Sequence, residues 1–410
     1  MELLYILAIL LFASRLAGEI MKWLGQPPLV GELLAGILLG VLATRLPDTF
    51  PLLSTISNND VFHGITELGI FFLMLLAGLE LKPSDIVESS RVALGVALGG
   101  MLLPFGLGFG IAWLFLPESD VRFAQALFLG TAMAITAVPV TAKILLDLGK
   151  LTSRVGKTLV SAAVYDDIAS LILLAVLTAV IRYGALPDIQ TFAFLMGKVS
   201  VFFAITIVLG RYAFPWVGKK LKQSESEEFV FSMLIVAAMT YAVIGELLGL
   251  HFIVGAFMAG LFFQRQTVSG EIFDDTKVKI SGVTLGFLAP IFFASIGMSL
   301  DLSATTQIPG LLFVILAAAF MGKLLGAGIP AYFSGMSLRE SAALGSGMCA
   351  RGAVELIVAD IALRAGLFEM PDPTPQEITF LFSAVVIMAI VTTIITPLAL
   401  KPLLEDDPKG

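Results

Sequence analysis

Two adjacent aspartates, Asp166 and Asp167, interrupt a stretch that is otherwise fit for lipid. From Leu159 to Ile181 they are the only charged residues, with Tyr165 beside them and Arg182 closing the run. One carboxylate at the centre of a membrane helix costs about 2.5–3.5 kcal/mol on insertion scales, so two in succession demand a use. Buried acids take up protons and attract cations, and the chemistry they suit is ion or proton movement. The competing reading is structural, with each acid neutralised by a fixed partner; transport accounts for the pair better.

Other residues suit the same chemistry. Thr131 to Lys143 carries Thr136 and Pro139 within an apolar run. Pro139 lacks an N–H and clashes one turn back, which frees the carbonyl of Ile135, and Thr136 offers a hydroxyl at that depth. Carbonyl and hydroxyl oxygens beside two carboxylates suit a small hard cation. A second weak point lies at Gly345-Ser-Gly347-Met-Cys-Ala-Arg351-Gly352. Arg351 and Glu355 stand one turn apart; they are either a mutual (i, i+4) pair or a support for exposed half-helix ends. Lys323 is the remaining key charge. Pro309 and Pro330 lie ~21 Å and ~10 Å from it at 1.5 Å per residue, far for snorkelling, and Gly322 and Gly326 offer a close-packing face. A buried amine paired with a carboxylate of the Asp166–Asp167 helix follows. The two aspartates point about 100° apart, so one can face Lys323 and the other remains for the ion.

The elements that hold these residues are membrane helices. The chain has 410 residues, 58% of them apolar and 14% charged, which marks a polytopic membrane protein. A net charge of −7 argues against nucleic-acid binding, and two histidines and one cysteine cannot build a metal site, so no cofactor is expected. Cys349 has no disulfide partner; no cleavable leader and no soluble domain are expected, the residues after Lys401 being a short acidic tail. The other charges in the apolar runs read as ordinary. Arg15 and Glu19 form an (i, i+4) pair, Glu32, Glu80 and Glu246 reach the interface, Lys143 sits near the inner side, and His63 and His251 fall at external ends of spans.

Thirteen spans are expected near 3–24, 27–45, 63–81, 92–116, 123–147, 155–181, 190–214, 228–248, 250–265, 280–300, 308–334, 338–365 and 377–402. Loops after odd-numbered spans hold most of the Lys and Arg, including Lys150, Arg154, Lys157, Arg211, Lys219, Lys220 and Lys222. The opposite side has Arg45, Arg122, Arg182 and Arg364. The C-terminus is therefore expected inside and the N-terminus outside a cell membrane. The chain also repeats itself. Leu29-Val30-Gly31 with Ala35-Gly36 recurs as Ile253-Val254-Gly255 with Ala259-Gly260, Ile70-Phe71-Phe72 as Ile291-Phe292-Phe293, and Gly130 and Met133 match Gly345 and Met348. The offset is seven spans, an odd number, so the second copy is inverted. The fold expected is an all-α bundle of two inverted six-helix repeats with discontinuous crossing helices in spans 5 and 12, and span 7 as a linker.

With these pieces in order, the chain resembles the cation:proton antiporter-2 family, in its sodium/proton antiporter branch. Matching segments are Gln26 to Gly36, Gly78-Leu79-Glu80, Leu129 to Ala132 through Leu148-Gly149, Asp166-Asp167, Ala289 to Phe293, Gly322-Lys323 and Arg351-Gly352. The resemblance implies a homodimer. Residues 1–90 and 226–305 (spans 1–3 and 8–10) would form the dimerisation domain and 186–225 the linker helix. Residues 91–185 and 306–410 (spans 4–6 and 11–13) would form the moving core. It implies Na+ at Asp167, the main ligand, and Asp166, with Asp166 also the partner of Lys323, and it associates this set with electrogenic exchange. Relatives often carry an acid two residues after the span-12 arginine, where this chain has Ala353; either Glu355 substitutes from the next turn or its role differs. Potassium/proton exchangers share the architecture but many replace the first aspartate by a neutral residue, which favours Na+ or Li+ here. A sodium-coupled organic-anion symporter would want basic groups at the crossing, and a cation channel has no need of Lys323.

Overall fold

The structure, a computed structural model, describes residues 2–46, 53, 59–80, 91–136, 141, 145, 150, 153–183, 189–221, 227–265, 268 and 270–404. Helices account for the secondary structure, and no strand occurs among these residues. In chain order they are α1 Glu2–Trp23, α2 Pro28–Arg45, α3 Asp60–Glu80, α4 Arg91–Phe115, α5 Arg122–Ala134, α6 Arg154–Tyr183 and α7 Ile189–Leu221. Then follow α8 Glu227–Leu247, α9 Phe252–Phe262, α10 Gly270–Met298, α11 Pro309–Phe333, α12 Leu338–Gly347, α13 Ala353–Arg364 and α14 Leu381–Leu404, with single turns at Ala304–Gln307 and Gln376–Thr379. Ten of these helices are long and apolar enough to cross a membrane. An α-helix satisfies its own backbone, which is why lipid selects it.

The helices that fall short matter more. Span 9, expected over 250–265, is the 11-residue helix Phe252–Phe262, only about 16 Å long and ended by extended backbone at Phe263. Span 5 stops as a helix at Ala134. Span 12 divides into α12 and α13 around five non-helical residues, 348–352. At its outset α12 carries a reciprocal cap: Glu340 N–H donates to Ser337 Oγ at 3.2 Å, and Ser337 N–H to Glu340 Oε2 at 2.8 Å.

The backbone divides into two compact units: Met1–Leu24 with Gly31–Ser84 and Pro187–Ser299, and Gly25–Val30 with Asp85–Leu186 and Leu300–Gly410. In the first, Gly31 lets α2 press on α1. A methyl there would come 2.2 Å from the Ala17 carbonyl oxygen, and one at Gly255 would come 2.4 Å from Tyr241. Gly31 and Ala17 precede Gly255 and Tyr241 by the same number of residues. In the second unit, α4 and α11 meet at Gly99 and Gly326, where each added methyl would strike the other's carbonyl oxygen, at 2.1 and 2.4 Å.

One pairing differs from expectation. Arg15 does not pair with Glu19: its Nη1 lies 3.9 Å from Glu32 Oε1, while Glu19 meets Lys22 at 3.6 Å. Glu32 does not reach the interface either; it is 5% exposed. The α1–α2 contact at Gly31 explains both, since it carries the next residue of α2 in against α1. Arg15 Nη1 also donates to the Leu285 carbonyl at 3.2 Å, within a wide π-helical turn, Thr284–Leu288, in the middle of α10. Lys143 lies outside the described residues.

Candidate functional site: two broken helices and their charges

The α5 break falls one turn before Pro139, which itself lies outside the described residues. Ile135 leaves the helix with φ −66° and ψ 146°. A helix end leaves its last carbonyls without intrahelical partners and carries about half a negative charge. Those carbonyls had suggested cation ligands, but two cationic side chains occupy them. Arg351 Nη1 donates to Ala132 O at 2.9 Å and to Ile135 O, and its Nη2 donates to Met133 O at 2.7 Å. Lys323 Nζ donates to Ala134 O. The carbonyls at the α5 end are thus already engaged by cationic groups.

Lys323 and Asp166 are both wholly buried, with Nζ 3.4 Å from Oδ1. The amine also donates to Thr136 Oγ1 at 2.6 Å, so its three N–H groups have three acceptors. Asp166 Oδ2 has no hydrogen-bond partner among the described residues. Asp167, next along α6, is half-buried. The cluster thus holds a free carboxylate oxygen, a hydroxyl with a second lone pair and an adjacent, more accessible acid, against one buried amine.

The α12–α13 break supplies Arg351 and Gly352. Gly352 is extended, φ −162° and ψ −154°, and α13 begins after it without a side-chain cap. Arg351 Nε stands 3.7 Å from Glu355 Oε2, and both residues are wholly buried. The arginine therefore holds the α5 end and faces Glu355 at once. Thr136, Asp166, Lys323, Arg351, Gly352 and Glu355 all stand at these two breaks or directly on the groups that cap them.

Two residues at the site were not singled out from sequence. Thr393 of α14 clamps the break from both sides: Arg351 N–H donates to its Oγ1 at 3.1 Å, and Oγ1 donates to Arg351 O at 3.0 Å. Thr141 Oγ1 donates to Gly347 O, the end of α12, at 2.6 Å. Only the Thr392-Thr393 pair within an otherwise apolar run could have drawn attention. Among the described residues, no group of three or more His, Cys, Asp or Glu could hold a metal ion.

Described residues that form helices alone, ten of them of membrane length, with a buried charge cluster at two helix breaks, have the build of a polytopic membrane protein. Residues 6–406 match the family of sodium/hydrogen exchangers, transmembrane region, and the chain belongs to that family, one of cation:proton antiporters rather than enzymes. It is 32% identical over 400 residues to the Na(+)/H(+)-K(+) antiporter GerN of Bacillus cereus, covering 98% of this chain and 96% of that one. It is 33% identical over 425 residues to the Na(+)/H(+) antiporter NhaS4 of a Synechocystis strain, covering 97% of each. Its fold is similar to that of the sodium proton antiporter MjNhaP1 from Methanocaldococcus jannaschii, with a TM-score of 0.69, 17% identity and coverage of 99% of this chain and 100% of that chain.

Proposed function

We propose that this protein exchanges a monovalent cation, Na+ and also Li+, for protons across the cell membrane, electrogenically and by alternating access. The observation that carries this reading is the Asp166–Lys323 pair, wholly buried at 3.4 Å beside half-buried Asp167 and the Thr136 hydroxyl. In such a site a proton and an alkali cation compete for the same carboxylate oxygens. Na+ binding at Asp167 and Asp166 displaces protons and loosens the contact with Lys323. The core then turns the site to the other side, where protons reload it. Pro139, Arg351, Gly352 and Glu355 maintain the crossover that makes this possible.

The architecture proposed is thirteen spans in two inverted repeats, with the N-terminus outside and the C-terminus in the cytoplasm. The matched close approaches at Gly31 and Gly255 support the repeat, and the Lys and Arg bias supports the orientation. The division of the backbone supports a moving core of spans 4–6 and 11–13 and a scaffold of spans 1–3 and 8–10, through which two copies form a homodimer. Potassium/proton exchange is the second reading, favoured by the Bacillus cereus relative, whose name includes K+.

Proteoliposomes loaded with a pH-sensitive dye test the proposal across Na+, Li+ and K+. Sodium-driven proton flux is expected, and Asp167→Ala should abolish it. Normal exchange by that variant would defeat the assignment.

A further inference from the structure

We propose that Glu355 is a proton-binding residue of this site, separate from the Asp166–Asp167 pair, loading and releasing a proton as the crossover rearranges. The proposal rests on the exchange reading above. Glu355 is 0% exposed, and neither carboxyl oxygen has a hydrogen-bond partner among the described residues. Its nearest cation, Arg351 Nε, is 3.7 Å away, beyond hydrogen-bond reach. The remaining nitrogens of that guanidinium are committed to the Ala132, Met133 and Ile135 carbonyls. Elsewhere in the same unit acids are better matched: Asp166 receives Lys323, and Asp360 receives Arg364 at 2.6 Å.

Opposing influences meet on this carboxyl. Burial without hydrogen bonds favours the neutral acid. Arg351, Lys323 and the start of α13, where Glu355 is the third residue, favour the anion. Cys349, buried in the same break, turns its thiol to the Gly345 carbonyl at 3.3 Å. The other elements at the break present a hydroxyl, Thr393, and the α5 carbonyls. A small displacement of the guanidinium relative to α5 therefore shifts the balance, which ties the proton on Glu355 to the geometry of the crossover. Loading forms one O–H bond from an aqueous proton, and release returns that proton to water; no other reactant is required.

The test uses the full chain, wild type and Glu355→Gln. Infrared difference spectra of a pH jump in detergent should contain a protonated-carboxyl band that the variant lacks. The pH midpoint of the sodium-driven flux that the variant retains in proteoliposomes should lie about one unit from the wild-type midpoint, a tenfold change in proton affinity. Retention of either the band or the wild-type midpoint overturns the proposal. Should the variant fail to fold, the Glu32→Gln chain labelled with carboxyl-13C glutamate replaces it: the band must shift with the label, and an unshifted band overturns the proposal. The band is read with no sodium present. Wild-type protein that shows the band without flux refutes the exchange reading alone, and flux without the band refutes this inference alone.

Discussion

Arginine serves two ends in this molecule. Arg351 is wholly buried and gives its side chain to three carbonyls of a broken helix, with Glu355 at 3.7 Å. Arg15 keeps 46% of its side chain exposed and touches one carbonyl, at Leu285, and one acid, Glu32, at 3.9 Å. The first has no solvent to fall back on, so each of its partners depends on it. The second keeps an open route for its charge, and its pairing is worth correspondingly little. Burial rather than residue type separates a charge that organises a site from one that fastens two helices.

The contrast can be broken by measurement. Arg351→Ala orphans three carbonyls and leaves Glu355 without its nearest cation. Unfolding in detergent should show a loss of about 3–5 kcal/mol, the range for a buried pair stripped of one member. Next comes a double-mutant cycle of Lys323→Met and Asp166→Asn. Each single change strands a polar partner, so the double variant should be less destabilised than the sum by about 2 kcal/mol, and additive losses would dissolve the pair as a unit. In proteoliposomes, Lys323→Ala should also lower the charge moved per ion; an unchanged current-to-flux ratio would remove the lysine from coupling. Arg15→Ala should cost only about 1 kcal/mol in the same unfolding assay. A loss equal to that of Arg351→Ala would end the distinction. The smallest effect, about 0.5–1 kcal/mol, is expected for Ser337→Ala, which removes a cap at a helix start that water can partly replace.

Much of this site was legible because charges are scarce in the chain. Lys323 stands alone in an apolar helix and therefore needs an acid. Helical periodicity separates Asp166 from Asp167 by about 100° but does not say which turns toward the lysine, since that depends on how α6 and α11 pack. A proline one turn downstream and a glycine-rich segment made both interruptions readable. What occupies the freed α5 carbonyls was not, because Arg351 comes from a segment more than two hundred residues away. The Arg15–Glu19 spacing misled for a related reason. A local (i, i+4) partner looks sufficient in sequence, yet the neighbouring helix brings a better buried acid. Thr393 and Thr141 were silent because a threonine in an apolar helix commonly bonds its own backbone, as Thr206 does to Phe202 at 2.9 Å.

The wide turn at Thr284–Leu288 has a consequence for register. A π-type turn accommodates one extra residue, and each residue of an α-helix advances the azimuth by about 100°. Deleting a single amino acid there would wind the segment into uniform α-helix, leave Ala289–Met298 near its present azimuth relative to Gly270–Val283, and withdraw the acceptor at Leu285 from Arg15.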